Sequence, residues 1–389
     1  MKALSFDIRD IFRANRLAFS MQRILIQFIG TSLGYIGYLA LTYASLIISG
    51  HSLSNMWKQM GVFPCLAGHD ANFLSWILFG IGALFLVVVI LITNTAVSRA
   101  VYMLVKGNYF YTWKEAFRFA IKKAGAVVFA PVAIIVLIGL FVAGGAFIGL
   151  LGKIPFAGEI GISLFYVVWI LAGLLIVLFI LVLGVSLLIS PAVIATTDDD
   201  AFEAVFQSFS LVWSQPCRVI VYELLSGVLA LAGMLIFAFF VKKAFLLVDV
   251  IFVGVIGDKY VNLVGQGMYM LQNWIGAMST WIQSSLGDYT GLVYLENSFL
   301  QLELSSVLNI SAVLFTVMML ALGVVVLSYG LATFQAATTL TYIVLRNIRE
   351  NDNLLERKDR EEEDDEQVEE NSTSNDESSA KETTEEKSE

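Results

Sequence analysis

Charged residues are scarce in this sequence of 389 residues. Lys, Arg, Asp and Glu make up 15% of it, apolar residues make up 58%, and the mean hydropathy is +0.77. Soluble globular domains contain about 25% charged residues. This composition excludes a water-soluble domain and predicts an all-α integral membrane protein, in which the long apolar segments cross the bilayer as helices.

Cysteine and histidine are nearly absent. The two cysteines, Cys65 and Cys217, are predicted to lie on opposite sides of the bilayer, which excludes a disulfide between them. His51, His69 and Cys65 could ligate zinc together, but their spacing matches no compact zinc pattern, and a lone loop histidine is usually solvated. We therefore expect no metal and no cofactor.

Recognisable catalytic motifs are also lacking. The sequence contains no Gly-rich phosphate loop, no paired-carboxylate acid–base site, no His-x-x-Glu-His zinc pattern and no serine nucleophile in a recognisable turn. The apolar segments lack the mid-membrane charges and interrupted helix pairs that are typical of ion-coupled transporters. The expectation is a protein that is not an enzyme.

Long uncharged segments are abundant. A helix needs roughly 20 apolar residues to cross a hydrocarbon core of about 30 Å. Six segments reach this length: residues 24–49, 73–92, 127–151, 162–189, 219–241 and 307–327. They predict a membrane domain of six spans over residues 24–349.

Basic residues predict the orientation of these spans. With the N-terminus inside, the inner segments hold 14 Lys and Arg residues before the C-terminal tail, and the outer segments hold five. Positive charge favours the cytoplasmic side of a membrane. Both termini are therefore predicted to be cytoplasmic, and the expected location is a prokaryotic cytoplasmic membrane.

The N-terminal residues 1–23 have an amphipathic pattern. Ile8, Ile11 and Phe12 share one helical face, whereas Arg13 lies elsewhere. This pattern predicts a cytoplasmic helix on the inner headgroups. Its positive charge can orient the chain without a specific lipid partner, and specific lipid binding is the alternative.

The net charge of −9 is concentrated at the C-terminus. Residues 350–389 contain 18 acidic and 5 basic residues and no aromatic residue, which leaves the membrane body with a net charge of +4. Such a segment cannot bury a core, so we expect a disordered acidic tail that aids solubility or binds a partner. The low isoelectric point gives no indication of a nucleic-acid partner.

Two inner segments resemble each other. Glu115 and Ala116 begin an amphipathic pattern after the second span, Glu203 and Ala204 begin one after the fourth, and both patterns continue into the next span. The recurrence predicts a repeated unit of span, surface helix and span.

Residues 244–306 predict helices at the outer interface. Aromatic residues, which are favoured there, lie on one face together with aliphatic ones. This face comprises Tyr260, Val264, Met268, Leu271, Trp274, Met278 and Trp281. The segment is the largest outer surface available to a protein partner.

Asp198, Asp199 and Asp200 raise the choice between a metal site and a helix cap. Adjacent carboxylates in an extended segment point in different directions, unlike the convergent ligands of Mg²⁺ or Ca²⁺. Asp200 and Glu203 have the spacing of a capping box, and the other two acids favour the positive end of the helix dipole. The sequence predicts a cap.

The same region carries a resemblance to known proteins. A span ends in Pro191 and Ala192, an acidic turn follows, and a surface helix then leads into a new span with Ala201, Glu203, Ala204 and Ser208. This pattern resembles multi-spanning prokaryotic membrane proteins that include the membrane domain of some glycerophosphodiester phosphodiesterases, and residues 342–350 are similar to their exit helix. The resemblance implies a helical membrane body. It implies no hydrolase activity, because the segment after residue 350 does not resemble a phosphodiesterase domain.

Few polar residues lie near the inner ends of the spans. We expect them to meet in one polar cluster of Asn94, Arg99, Glu223, Gln335, Thr338 and Thr339. The cluster could form a gate for a small or amphipathic solute. The alternative, which we expect, is an ion pair between Arg99 and Glu223 that satisfies both charges near the headgroups. The sequence thus predicts a scaffold or accessory protein that interacts with lipid or partner proteins, with a transporter or channel as the alternative.

Overall fold

The computed structural model describes residues 4–276, 299–302 and 304–357, and these residues form helices without any strand. Six helices are long and apolar enough to cross a membrane. They are α2 (Met21–Ile48), α4 (Phe73–Lys106), α6 (Ala124–Leu151), α8 (Tyr166–Thr197), α10 (Pro216–Ile256) and α12 (Ser306–Glu350). The prediction of an all-α, multi-pass membrane protein with six apolar helices is confirmed.

Shorter helices lie between and before the long ones. They are a 3-10 helix (Ile8–Arg13), α1 (Ala14–Ala18), α3 (Leu53–Met60), α5 (Trp113–Lys122), α7 (Ala157–Leu164), α9 (Ala201–Ser214) and α11 (Asp258–Trp274). α1, α5 and α9 each lead directly into the first long helix of a helical hairpin. The predicted repeat is therefore present, and it includes a third copy at the N-terminus.

Three of the long helices form the centre of the molecule. α4, α8 and α12 each pack against the other two, and α2, α6 and α10 pack outside them as their hairpin partners. The C-terminal parts of the central helices are buried along residues 95–103, 189–197 and 335–346. We name the end at which these parts meet the convergent end. The opposite halves of the hairpins are largely exposed, above all residues 166–178 of α8.

The helix of the predicted sixth span extends well beyond residues 307–327, to Glu350. Thr338 is hydrogen-bonded to Glu223 of α10, and the ring of Tyr329 contacts that of Phe237. The part of α12 that was predicted to continue into the cytoplasm therefore lies beside the fifth span.

Backbone acceptors explain why so polar a stretch can be buried. The hydroxyl groups of Ser328, Thr333 and Thr339 each donate to the carbonyl oxygen four residues earlier, at 2.7 to 2.9 Å. A hydroxyl satisfied within its own helix costs little to bury. Hydropathy alone therefore did not predict that this stretch is buried among other helices.

The N-terminal residues do not form one surface helix. α1 ends at Ala18, Phe19 and Ser20 form an elbow, and α2 begins at Met21. Ile11 is fully buried in a cluster with small residues of α12. Ile8 and Ile11 of the predicted apolar face thus pack against protein, whereas Phe12 is 57% exposed.

The helix that contains the predicted fifth span does not end before residue 244. α10 continues without interruption to Ile256 and ends at Gly257, whose φ of +71° suits a glycine. The basic pair Lys242 and Lys243 ends the hydrophobic window but not the helix. α11 follows and packs on α12 through part of the predicted face, including Val264. Met278 and Trp281 lie outside the described residues.

The chain beyond α12 begins with an ordered turn. Asn351 adopts a φ of +51°, the chain reverses, and Leu354 is fully buried. We name residues 351–357 the C-terminal strap. The tail was predicted to be disordered from this point, but a leucine at the start of the acidic run reaches an apolar pocket between helices. Residues 358–389 lie outside the described part of the chain.

Candidate functional site at the convergent end

A polar network joins three helices at the convergent end. Ser98 Oγ of α4 accepts a hydrogen bond from Gln335 Nε2 at 2.7 Å and lies 3.0 Å from Thr339 Oγ1. On the other side of α12, Thr338 Oγ1 donates to Glu223 Oε2 at 2.9 Å. The structure therefore places the predicted residues in two hydrogen-bonded groups on opposite sides of α12, Gln335 and Thr339 with Ser98, and Thr338 with Glu223. Ser98, which the sequence reasoning missed, is the residue that receives two of them.

Arg99 points to another part of the interior. Its side chain is fully buried, Nη1 donates to the carbonyl oxygen of Ala195 in α8 at 3.0 Å, and the guanidinium carbon lies 4.2 Å from the ring centroid of Phe119. Arg99 and Glu223, both of them described, form no ion pair, so the predicted pair is wrong. Consecutive helical residues point about 100° apart, so Arg99 faces α8 when Ser98 faces α12.

Asn94 is the remaining member of the predicted cluster. It lies one turn before Ser98 on α4 and is half-buried. Within the described residues, no hydrogen bond links its side chain to the network. Asn94 therefore flanks the network rather than joining it.

The first two aspartates of the α8–α9 turn form ion pairs. Asp198 ends α8 with a φ of +57°, and Lys123 Nζ lies 2.6 Å from its Oδ1 and 2.7 Å from its backbone oxygen. Asp199 Oδ2 lies 3.8 Å from Arg357 Nη1 in the C-terminal strap. These carboxylates hold the turn to α6 and to the strap, a role that the sequence analysis did not identify.

The predicted capping box is only half correct. Asp200 occupies the N-cap position of α9 with extended dihedral angles, but its side chain makes no capping hydrogen bond. Glu203 Oε1 instead accepts a hydrogen bond from Gln207 Nε2 at 2.6 Å, which removes the acid that the box requires. The complete box occurs on the equivalent helix α5, between Thr112 and Glu115.

Both described chain ends cover this site. The hydroxyl of Tyr102 on α4 donates to the carbonyl oxygen of Leu354 at 2.8 Å. Leu4 and Phe6 pack against the same apolar cluster that contains Leu354. The two ends therefore meet over the central helices.

Two open cavities lie away from the network. One of about 500 Å³ is lined by residues of α10 and α11 and by residues 299–302. The other, of about 280 Å³, is an apolar groove between α8 and α9 lined by residues such as Val182 and Phe209. Neither cavity reaches the polar network.

The two histidines meet at the opposite end of the hairpins. The rings of His51 and His69 are in edge-to-face contact with 5.6 Å between centroids, and His51 Nε2 lies 3.2 Å from the carbonyl oxygen of Asp70. Cys65 and Cys217 are both free thiols on exposed residues.

The chain matches no protein-family model, no curated protein and no solved structure. At the convergent end, hydroxyl, amide and carboxylate groups of different helices bond to one another, an arrangement that holds transmembrane helices together.

Proposed function

We propose that this protein is a non-enzymatic membrane scaffold that binds lipids or membrane-embedded partners. The binding surface is formed by the halves of its hairpins opposite the convergent end, which we name the separated halves. The observation that carries this proposal is the contrast in burial along the central helices. The half of each central helix at the convergent end is buried in protein, and the other half is largely exposed.

The convergent end has the properties of a rigid base. Ala96, Ala332 and Ala336 are fully buried where α4 and α12 approach each other. Small residues allow close contact between transmembrane helices, and hydroxyl hydrogen bonds add to the attraction. A close-packed base of this kind holds three hairpins in a fixed arrangement.

The separated halves supply the binding surface. Tyr166, Val167 and Val168 of α8 are 60%, 69% and 50% exposed, although consecutive helical residues point about 100° apart and these three therefore lie on different sides of the helix. A helix that is apolar all round is suited to a lipid environment. Acyl chains or the apolar helix of a partner can therefore contact it from several directions.

The proposal includes an orientation and an origin for the fold. The excess of basic residues near the convergent end supports placing that end in the cytoplasm. The pattern that begins at Pro191 supports a relationship to the membrane domains of some glycerophosphodiester phosphodiesterases. Partners on the far side would meet α11 and its neighbours.

A transporter of amphipathic solutes is the second candidate, and one observation favours it. Glu223 Oε1 is buried and accepts no hydrogen bond from any described group, whereas Oε2 is bonded by Thr338. A carboxylate oxygen of this kind could receive the cationic group of a solute.

Cysteine accessibility distinguishes the two candidates. In a chain in which Cys65→Ser and Cys217→Ser remove the native thiols, Thr338→Cys reports on the network and Ser214→Cys serves as the exposed control. The proteoliposomes are permeabilised so that a charged, membrane-impermeant thiol reagent reaches both faces of the membrane. If the protein is a scaffold, the cysteine of Thr338→Cys does not react and that of Ser214→Cys does. Reaction of both cysteines at similar rates would refute the close-packed base and favour the transporter.

A further inference from the structure

Arg23 is a buried cation without a counter-ion among the residues that the structure describes. It is the third residue of α2, only 7% of its surface is exposed, and its Nε is buried without an acceptor. No described group forms an ion pair or hydrogen bond with its guanidinium. A buried charge is costly unless it is paired.

In the described helices that pack around Arg23, the acidic residues are already bonded to other groups. α2 packs against α3, α4, α5 and α12, and neither α3 nor α4 contains an acidic residue. Glu115 of α5 is held in its capping box with Thr112, and Glu350 of α12 pairs with Arg346. No acid of these described helices therefore neutralises Arg23, which leaves its guanidinium able to bind an anion from its surroundings.

The start of α2 adds hydrogen-bond donors at the same place. Ser20 occupies the N-cap position, but its side chain caps nothing, which leaves the N–H groups of Met21, Gln22 and Arg23 without a partner in the helix. Side chains in a helix lean toward its N-terminus. The guanidinium and these N–H groups therefore lie at one end of the helix, which also carries the positive end of its dipole.

The surroundings of this elbow are apolar and open. Phe19 and Met21 are 62% and 85% exposed on either side of Ser20. Exposed apolar residues beside a charged site at the end of a transmembrane helix are typical of the level at which lipid headgroups meet acyl chains. The anion most abundant at that level is the phosphate of a phospholipid.

We propose that the elbow between α1 and α2 binds the phosphate group of an anionic phospholipid from the leaflet around the convergent end. The planar guanidinium of Arg23 donates hydrogen bonds to two phosphate oxygens, and the N–H groups at the start of α2 donate to the same phosphate. This inference rests on the proposed function, because it assigns a lipid class and a position to the lipid binding of the scaffold.

The test measures how lipids change the thermal unfolding midpoint of the purified full chain in detergent micelles. Phosphatidylglycerol is added in one series, phosphatidylcholine in a second and inorganic phosphate in a third. We expect phosphatidylglycerol to raise the midpoint in a saturable manner, phosphatidylcholine to raise it less, and millimolar inorganic phosphate to have little effect. A full response to inorganic phosphate would overturn the lipid assignment in favour of a free anion.

Arg23→Met and Arg16→Met form a matched pair, since both remove one positive charge and Arg16 is exposed on α1. Arg23→Met should require about tenfold more phosphatidylglycerol for half of the response, and Arg16→Met should behave like the native chain. Without lipid, Arg23→Met should be at least as stable as the native chain, because an unpaired buried charge has been removed. Arg23→Lys keeps the positive charge but loses the planar guanidinium. Its response to phosphatidylglycerol should lie between those of the native chain and Arg23→Met, and it provides a second folded variant.

An equal response of the native chain and Arg23→Met to phosphatidylglycerol would overturn the site. An equal loss of this response in Arg23→Met and Arg16→Met would also overturn it, because it would indicate a diffuse positive patch. The failure of the site and the failure of the proposed function give different results. Labelling of Thr338→Cys together with an Arg23-dependent lipid response would refute the scaffold but keep the site. Protection of Thr338→Cys with no such response would refute the site alone.

Discussion

Replacing Asp198 by Asn should destabilise the protein far more than the same change two residues later. Asn tolerates the left-handed conformation that Asp198 adopts, so the change removes the charge without straining the turn. Lys123 would lose a carboxylate partner at 2.6 Å while keeping the backbone oxygen at 2.7 Å.

The magnitude follows from the burial of the pair. Two unit charges 2.6 Å apart attract each other by about 6 kcal/mol at an effective dielectric constant of about 20, before desolvation is subtracted. Removing one partner of a fully buried pair costs about 3–5 kcal/mol. The side chains of Lys123 and Asp198 are 16% and 7% exposed, so we expect a smaller loss in the free energy of unfolding, of about 2–3 kcal/mol.

The assay is reversible unfolding in mixed micelles titrated with sodium dodecyl sulfate and followed by tryptophan fluorescence. Asp200→Asn is the matched control, since Asp200 makes no capping hydrogen bond, and its effect should stay within about 0.5 kcal/mol. Combining Asp198→Asn with Lys123→Met should cost less than the sum of the single changes, with a coupling energy of about 1–3 kcal/mol. Strict additivity, or equal losses for Asp198→Asn and Asp200→Asn, would refute the pairing.

Three further changes test the packing of the convergent end by the same assay. Leu354→Ala removes a fully buried side chain from the C-terminal strap and should cost about 2–5 kcal/mol; a negligible loss would mean that the strap is not bound. Gly30→Ala places a methyl group 1.9 Å from Thr93 Oγ1 and should cost about 1–3 kcal/mol, whereas Gly173→Ala meets no atom within 4 Å and should be neutral or stabilise by up to about 1 kcal/mol. Equal effects of the two glycine changes would contradict the close approach of α2 and α4. Ser98→Ala removes the hydroxyl that accepts from Gln335 and lies 3.0 Å from that of Thr339 and should cost about 1–3 kcal/mol, and no loss would show that the network is not formed.

Composition was sufficient to predict the class and number of the long helices, because a lipid environment requires about 20 apolar residues wherever a helix crosses it. It was insufficient to place the sixth helix. A hydropathy window scores Thr333 and Thr339 as polar, although each hydroxyl donates to a carbonyl of its own helix. A helix enclosed by other helices has no lipid-facing side at that level, so its hydropathy does not report its depth in the bundle.

The candidate site shows a different limit of the sequence. Gln335, Thr338 and Glu223 were predicted to meet because each lies at the same depth, and depth can be counted along a helix. Arg99 lies at that depth as well, but it faces α8, where it bonds to Ala195. Which side of a helix meets which neighbour depends on the packing order of the helices, and no local pattern encodes that order.

The ion pair of Lys123 and Asp198 depends on the same packing order. The two residues are 75 positions apart and meet because α6 begins beside the end of α8. A run of three aspartates at a helix start has an adequate local explanation in capping, so the sequence alone offered no reason to look for a distant lysine.

The contrast between the two halves of the hairpins has a physical cause that can be traced in α8. Lipid chains solvate apolar side chains as well as protein does, so apolar residues alone give two transmembrane helices little reason to associate. Residues 166–178 are almost purely apolar and remain exposed, whereas residues 189–197 include Ser190, Pro191 and Thr196 among small side chains and are buried. Close approach and hydrogen bonding become possible only in the second stretch, so the helices meet there and separate where those residues end. In the scaffold that we propose, polar contacts keep the base fixed while the exposed apolar halves of the hairpins stay available to lipids or partner helices.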